Sequence, residues 1–194
     1  MTSAEKTAKM IRVMTVPPVL VIALILILSY TNESIFHGYA DRFVAAFFLG
    51  IIPLLAYPLQ QILPFWKEDS REGQRRLAFL LSIVGYVAAV IEGLLSGAGK
   101  ELQFIYNTYF ISVVLLAILN KMMKLRASGH ACSVTGPLVF LIYFVGWIVI
   151  IPCLLVYGGS IWASIKLKRH TKKDLFMGTA VCLVSFLCAY ALFM

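Results

Sequence analysis

The sequence predicts an all-α bundle of membrane-spanning helices, and three observations lead there. Of the 194 residues, 61% are hydrophobic and only 13% are charged, against roughly 25% charged in ordinary soluble domains. The apolar residues are gathered into runs, most of them near the roughly 20 residues that a spanning helix needs. The basic residues stand between those runs, where they orient membrane helices and meet anionic headgroups. No single core in water covers this much apolar surface at this length, so lipid must solvate it. The net charge of +8 is thereby a membrane feature and not a nucleic-acid one. One domain, 1–194, is the natural count.

The runs can be taken in order. The first, 13–30, follows Lys6, Lys9 and Arg12 and carries Pro17 and Pro18 near its start. A basic stretch before an apolar run resembles a secretory signal. This run ends in Tyr30, Thr31, Asn32 and Glu33 with no small-residue cleavage site, so a retained span is expected. The second run, 43–66, closes on Phe65 and Trp66, as at a membrane interface. A charged loop then leads to the third, 77–95, which carries Glu92. The fourth is 102–122. The tract 134–165 is too long for one ordinary span, and Gly146, Pro152, Gly158 and Gly159 offer breaks. Two short spans with a turn near Gly146 and Trp147 are expected. The last run is 175–193. The total is six or seven spans, six if one short run is re-entrant.

With seven spans and a cytoplasmic N-terminus, only Arg42 and Lys100 among the basic residues fall outside, a strong positive-inside pattern. The cysteines, Cys132, Cys153, Cys182 and Cys188, have neither CxxC spacing nor a His/Asp cluster. They read as small buried hydrophobes and not as a disulfide frame or zinc site. His37 reads as a loop residue, and Glu92, near its run's end, as interfacial.

Two polar islands interrupt the apolar background. One holds Arg126, Ser128, Gly129 and His130. The other runs over 166–174 and holds Lys166, Arg169, His170 and Asp174. A hairpin between them brings both to one side of the membrane, at headgroup depth. These residue types suit phosphoryl transfer on a lipid phosphate. Cations and donors to hold the phosphoryl oxygens come from Arg126, Lys124, Ser128 and the Gly129 amide. Neutral His170 serves as nucleophile. Asp174, four residues on, shares its face if the segment is helical and accepts from the ring. His130 donates a proton to the leaving alkoxide. This chemistry needs no metal or other cofactor. Taken singly, Ser128 is equally a helix N-cap, and 166–173 a basic anchor at anionic lipid.

Ala127, Ser128, Gly129 and His130 resemble the Pro-Ser-Gly-His motif of the type 2 phosphatidic acid phosphatase (PAP2) superfamily. His170 and Asp174 match the second half of that family's Ser-Arg-x5-His-x3-Asp motif in spacing. The resemblance covers about 121–194 by motif and the rest by hydrophobic pattern. It implies a helical membrane fold and hydrolysis of a lipid phosphate monoester or diphosphate: phosphatidate, phosphatidylglycerophosphate or a polyprenyl phosphate. It also implies a phosphohistidine on His170, orientation by Asp174, a proton from His130 and phosphate binding by Ser128 and Gly129. Divergent bacterial members with a basic-x-Ser-x-His form, matched by Arg126, Ser128 and His130, look closer, which implies a bacterial plasma membrane.

Three departures stand out. Ala127 replaces proline, no Lys-x6-Arg-Pro motif is matched, and Ala163 and Ser164 stand where the family has Ser-Arg. Lys124, Lys166 and Arg169 are the candidates to replace the lost cation. Family sites face away from the cytoplasm, whereas the seven-span charge count puts this one inside. Two other readings are an inactive family member acting as a binding protein, and a small transporter using Glu92.

Overall fold

A computed structural model of the chain describes residues 2–62 and 72–194, and helices are its only regular structure among those residues. There are eight: α1 (Ser3–Met14), α2 (Pro17–Thr31), α3 (Tyr39–Ile62), α4 (Glu72–Ser96), α5 (Lys100–Met122), α6 (Gly129–Val145), α7 (Trp147–Lys166) and α8 (Lys172–Phe193). Helices α3, α4, α5, α7 and α8 are each long and apolar enough to cross a membrane. Helices α1 and α2 pass the same test together as a pair bent by 51°, and α6 is a shorter apolar helix. Large hydrophobic side chains such as Leu26, Leu94, Leu155, Phe176 and Leu187 point outward, as lipid-facing residues do. The protein is an integral membrane protein with an all-α bundle fold.

The first apolar run is corrected by this arrangement. It is not one straight span from residue 13. Pro17 and Pro18 occupy the first turn of α2, where a missing N–H costs little, and the preceding residues form the separate helix α1. Thr2 and Glu5 cap α1 reciprocally. The end of the second run, with Phe65 and Trp66, lies outside the described residues. Within α3, five residues, Phe47–Ile51, widen into a π-turn just before Pro53. The widening relieves the clash between a proline ring and the carbonyl four residues earlier.

The break in the 134–165 tract falls where the sequence suggests. Gly146 has φ 91°, a conformation that side chains other than hydrogen oppose. It lets α7 turn back against α6. Short connections at 97–99, 123–128, 146 and 167–171 make consecutive helices from α4 to α8 antiparallel. The bundle therefore has two distinct ends. The C-terminal ends of α1, α3, α5 and α7 meet the N-terminal ends of α4, α6 and α8 at one, hereafter the basic end.

Helix α8 packs on α5 and α6, α4 on α5, and α2 on α6. Phe104, Phe140 and Tyr106 are fully buried, toward the end of the bundle opposite the basic one. Phe104 lies against Phe140 and Phe186 with ring centroids 5.1 and 4.8 Å away, separations at which tilted rings attract.

Candidate functional site

Two local devices bring the polar islands together. Thr171 caps α8: its hydroxyl accepts from the Asp174 N–H at 3.1 Å, while the Asp174 carboxylate accepts from the Thr171 N–H at 3.0 Å. The Asp174 carbonyl then accepts from the Ser128 N–H at 2.9 Å, which fastens the start of α8 to the start of α6. Gly178, one turn on, faces the Ser128 carbonyl so closely that a Cβ would collide with it. On the other side Asn120, in the π-turn that ends α5, grips Ala127 twice. It donates to the carbonyl at 3.1 Å and accepts from the N–H at 2.8 Å. The segment carrying Arg126 is thus tied to α5 and α8 at once.

Between these ties lies a cavity of about 510 Å³, a size usual for a small-molecule site. Its polar end is lined by Arg12, Arg75, Arg76, Arg126, Gly129, His130 and His170. Farther along α3, α4 and α5 the lining is mainly apolar, with Pro53, Phe79, Val113 and Leu116, and with Ser82 and Ser112 among them. Ser160, buried on α7, lies with its hydroxyl 3.2 Å from His130 Nε2. One turn later Ser164, fully buried, accepts from Arg12 Nη1 at 2.8 Å. An outer cleft of about 380 Å³ is lined by Arg126, Lys168, Arg169, His170 and Asp174.

His170 sits in the connection before α8, largely buried. Burial pushes its pKa down to about 4. Arg12 and Arg75 push the same way, and Asp174 opposes them only in part. A proton on this ring is disfavoured both by lost solvation and by like charge. The imidazole is neutral at physiological pH, the state in which it has a lone pair to give.

The sequence-derived residues fall into three groups. His130, His170, Arg126 and Gly129 meet at the main cavity, as the hairpin expectation required. Asp174 and Arg169 line the outer cleft, while Lys124 and Lys166, both exposed, line neither of the two spaces. Ser128 has a structural role: it is the N-cap of α6, buried, its hydroxyl accepting from the Ala131 N–H at 3.2 Å. The geometry of the His170–Asp174 pair also needs correction. His170 is not helical; it precedes the Thr171 cap. The ring Nδ1 is 4.0 Å from the carboxylate, beyond hydrogen-bonding reach, because that carboxylate is turned onto the Thr171 N–H. Among the cysteines, Cys132, Cys153 and Cys182 are buried, but Cys188 is exposed on the face of α8.

Arg12, Arg75, Asn120, Ser160 and Ser164 were not legible as site residues in the sequence. Arg12 and Arg75 look like ordinary flanking cations. The one available signal is that Ser160 and Ser164 are four apart in an apolar run and so share a helix face. Asp69 and Arg71, in the charged loop before the third apolar run, lie outside the described residues. Glu92 lies 17 residues along α4 from Arg75, about 25 Å at helical rise, and takes no part in the cavity lining. His37 is in a connection, its N–H donating to Asp41 at 2.9 Å.

No family model, curated protein or solved structure matches this chain. What the site offers chemically is therefore read from its own groups. A neutral imidazole, a second imidazole beside a hydroxyl and four guanidinium groups line one space whose inner end is largely apolar. Among the described residues, Glu72, exposed at the start of α4, is the acidic side chain on the main cavity's lining.

Proposed function

We propose that the protein hydrolyses a phosphate monoester or diphosphate of a membrane lipid through a phosphohistidine on His170. The observation that carries this reading is the composition of the main cavity, with two histidines and four arginines toward one end and mainly apolar side chains toward the other. An amphiphile with an anionic head and a hydrocarbon tail fits that division; a soluble phosphate uses half of it. Phosphatidate, phosphatidylglycerophosphate and polyprenyl phosphates all have this form. The resemblance of 127–130 and of His170 and Asp174 to the PAP2 motifs points the same way.

The steps follow from the groups present. The guanidinium groups of Arg126 and Arg75 and the Gly129 amide hold the phosphoryl oxygens. His170 Nε2 attacks phosphorus, forming an N–P bond as the bond from phosphorus to the lipid oxygen breaks. His130 takes up a proton as the phosphoryl dianion enters beside it, and gives that proton to the departing alkoxide. His130, now neutral, takes a proton from water as the water oxygen attacks phosphorus. The N–P bond then breaks and inorganic phosphate leaves. Asp174 steadies the charge on the His170 ring once the lone pair is committed.

The deciding experiment is phosphate release from a panel of lipid phosphates in detergent with EDTA. His170→Ala is expected to lower release more than about a thousandfold, the scale for loss of a nucleophile. Release by the wild type that survives in His170→Ala would rule the mechanism out.

One observation favours a second reading, a catalytically silent protein that binds lipid phosphates. The 4.0 Å between His170 and Asp174 leaves the ring without the hydrogen bond that would select its tautomer. Wild-type protein that binds lipid phosphates and releases nothing would select it.

A further inference from the structure

Helix α7 exposes Leu154, Leu155 and Trp162 but turns one polar stripe inward. Tyr157, Ser160 and Ser164 share a helix face by their spacing, and each meets a different element. The Tyr157 hydroxyl lies 2.8 Å from the Thr179 hydroxyl on α8. Ser164 accepts from Arg12 on α1. Ser160, only 2% exposed, lies with its hydroxyl 3.2 Å from Nε2 of His130 on α6. Ser160 is outside both PAP2-like motifs. Among the described residues, Nδ1 of His130 has no hydrogen-bond partner, and the ring lines the main cavity. Nδ1 is therefore the nitrogen left to face a ligand.

We infer that Ser160 is a positioning residue for His130: it holds Nε2–H, so that Nδ1 carries the proton to and from the reacting group. This role rests on the phosphatase reading for the reaction it serves, but not for the geometry of the ring. An imidazolium has two N–H donors and no acceptor. Once His130 is charged, Ser160 can only accept, and the proton free to leave is the one on Nδ1. A helical serine can turn its own O–H onto the carbonyl one turn back, which leaves the oxygen's lone pairs for Nε2–H. The neutral ring is then the Nε2–H tautomer, with the Nδ1 lone pair toward the cavity. Nδ1 takes a proton from solvent as the dianion enters and gives it to the departing alkoxide. It takes another from the attacking water and returns it to solvent as phosphate leaves. One nitrogen thus serves both halves of the reaction, while Nε2–H stays on Ser160. Among the described residues, the other polar groups of the cavity are poor substitutes. Arg75, Arg76 and Arg126 are donors only, and the Glu72 carboxylate is exposed.

The test is nitrogen NMR of the histidine rings in the detergent-purified full chain, read beside phosphate release from phosphatidate, phosphatidylglycerophosphate and a polyprenyl phosphate. The chain has three histidines, and the His130 signals are those lost in His130→Ala. Substrate-free wild type at neutral pH is expected to show His130 as the Nε2–H tautomer alone. Ser160→Ala should spread the ring over both tautomers. It should also lower kcat about tenfold to a hundredfold, the scale for a misplaced reacting group, with KM little changed. Ser160→Thr, which keeps the hydroxyl, should restore both. A wild-type ring in the Nδ1–H form, or ring signals that Ser160→Ala does not move, would overturn the role of Ser160 and leave the phosphatase reading standing. Altered tautomers with unchanged kcat would overturn it too. Wild-type spectra carry the tautomer by themselves, so misfolding of Ser160→Ala does not remove the test. Wild-type protein that releases phosphate from none of these lipids would sink the phosphatase reading and the proton path with it. Release that survives in His170→Ala yet slows in Ser160→Ala would keep Ser160 and remove only the phosphohistidine.

Discussion

The two ends of the bundle are built on opposite principles. At the far end, Phe104, Phe140, Phe144, Phe186, Tyr143 and Tyr190 stack into one aromatic cluster, with successive centroids about 5–6 Å apart. At the basic end the space between the same helices is lined with arginine and histidine. In lipid there is little hydrophobic drive between helices, so van der Waals packing and hydrogen bonds hold them. Concentrating the packing at one end frees the other to keep a cavity and to gather like charges. The contrast teaches that stability and the candidate chemistry are spatially separable in this molecule.

That separation can be broken at either end. The largest expected effects come from the paired substitutions His130→Ala and Phe104→Ala. His130→Ala should lower phosphate release about 10²- to 10⁴-fold, as for loss of a general acid, with little change in thermal stability. Phe104→Ala should cost about 3 kcal/mol, toward the low end for a buried phenylalanine because packing alone is lost, while release per folded molecule persists. Finding both losses in either variant would show the ends to be coupled.

Gly178→Ala comes next. Its Cβ has no room beside the Ser128 carbonyl, so α8 must move from α6. A loss of about 1–3 kcal/mol, as for overpacking, should accompany reduced release, because the displaced joint carries His130 and His170. Asn120→Ala removes two hydrogen bonds to Ala127, each contributing about 1 kcal/mol. It should lower affinity for inorganic phosphate through the Arg126 segment more than it lowers the melting temperature.

The smallest effect concerns protonation. His170 titrates near 4 in the folded chain against about 6.5 unfolded. Between these values the unfolded chain binds more protons, so this group's contribution to stability falls as pH drops from 6.5 toward 4 and changes little below. Ring NMR of substrate-free protein should show the midpoint near 4. Arg12→Ala should raise it, since removing a neighbouring positive charge favours the protonated ring. An unchanged midpoint would mean that Arg12 does not face His170 in solution.

Much of this was legible in the residues. Hydropathy alone marks the apolar runs, since lipid accepts only segments that satisfy their own backbone. Gly146 announces its break because few other residues adopt its φ. The spacing of the two polar islands around a hairpin places His130 and His170 at one end. Less legible were Ser128, whose hydroxyl serves the α6 cap, and Asp174, whose carboxylate serves the α8 cap. The same residue type suits a cap and a ligand, and only the backbone around it chooses between them.

What the sequence by itself determined, then, is the class of molecule, the order of its helices and the end at which its polar islands collect. These depend on local hydropathy and on backbone preferences that each segment carries with it. Tertiary structure alone decided that Arg12, 118 residues before His130 and 158 before His170, stands in the same cavity. That outcome depends on a 51° bend at Pro17, the docking of α1 on α7 and a serine hydroxyl that takes up the guanidinium. Contacts between distant segments are set by how whole helices pack, and no periodicity within either segment records them.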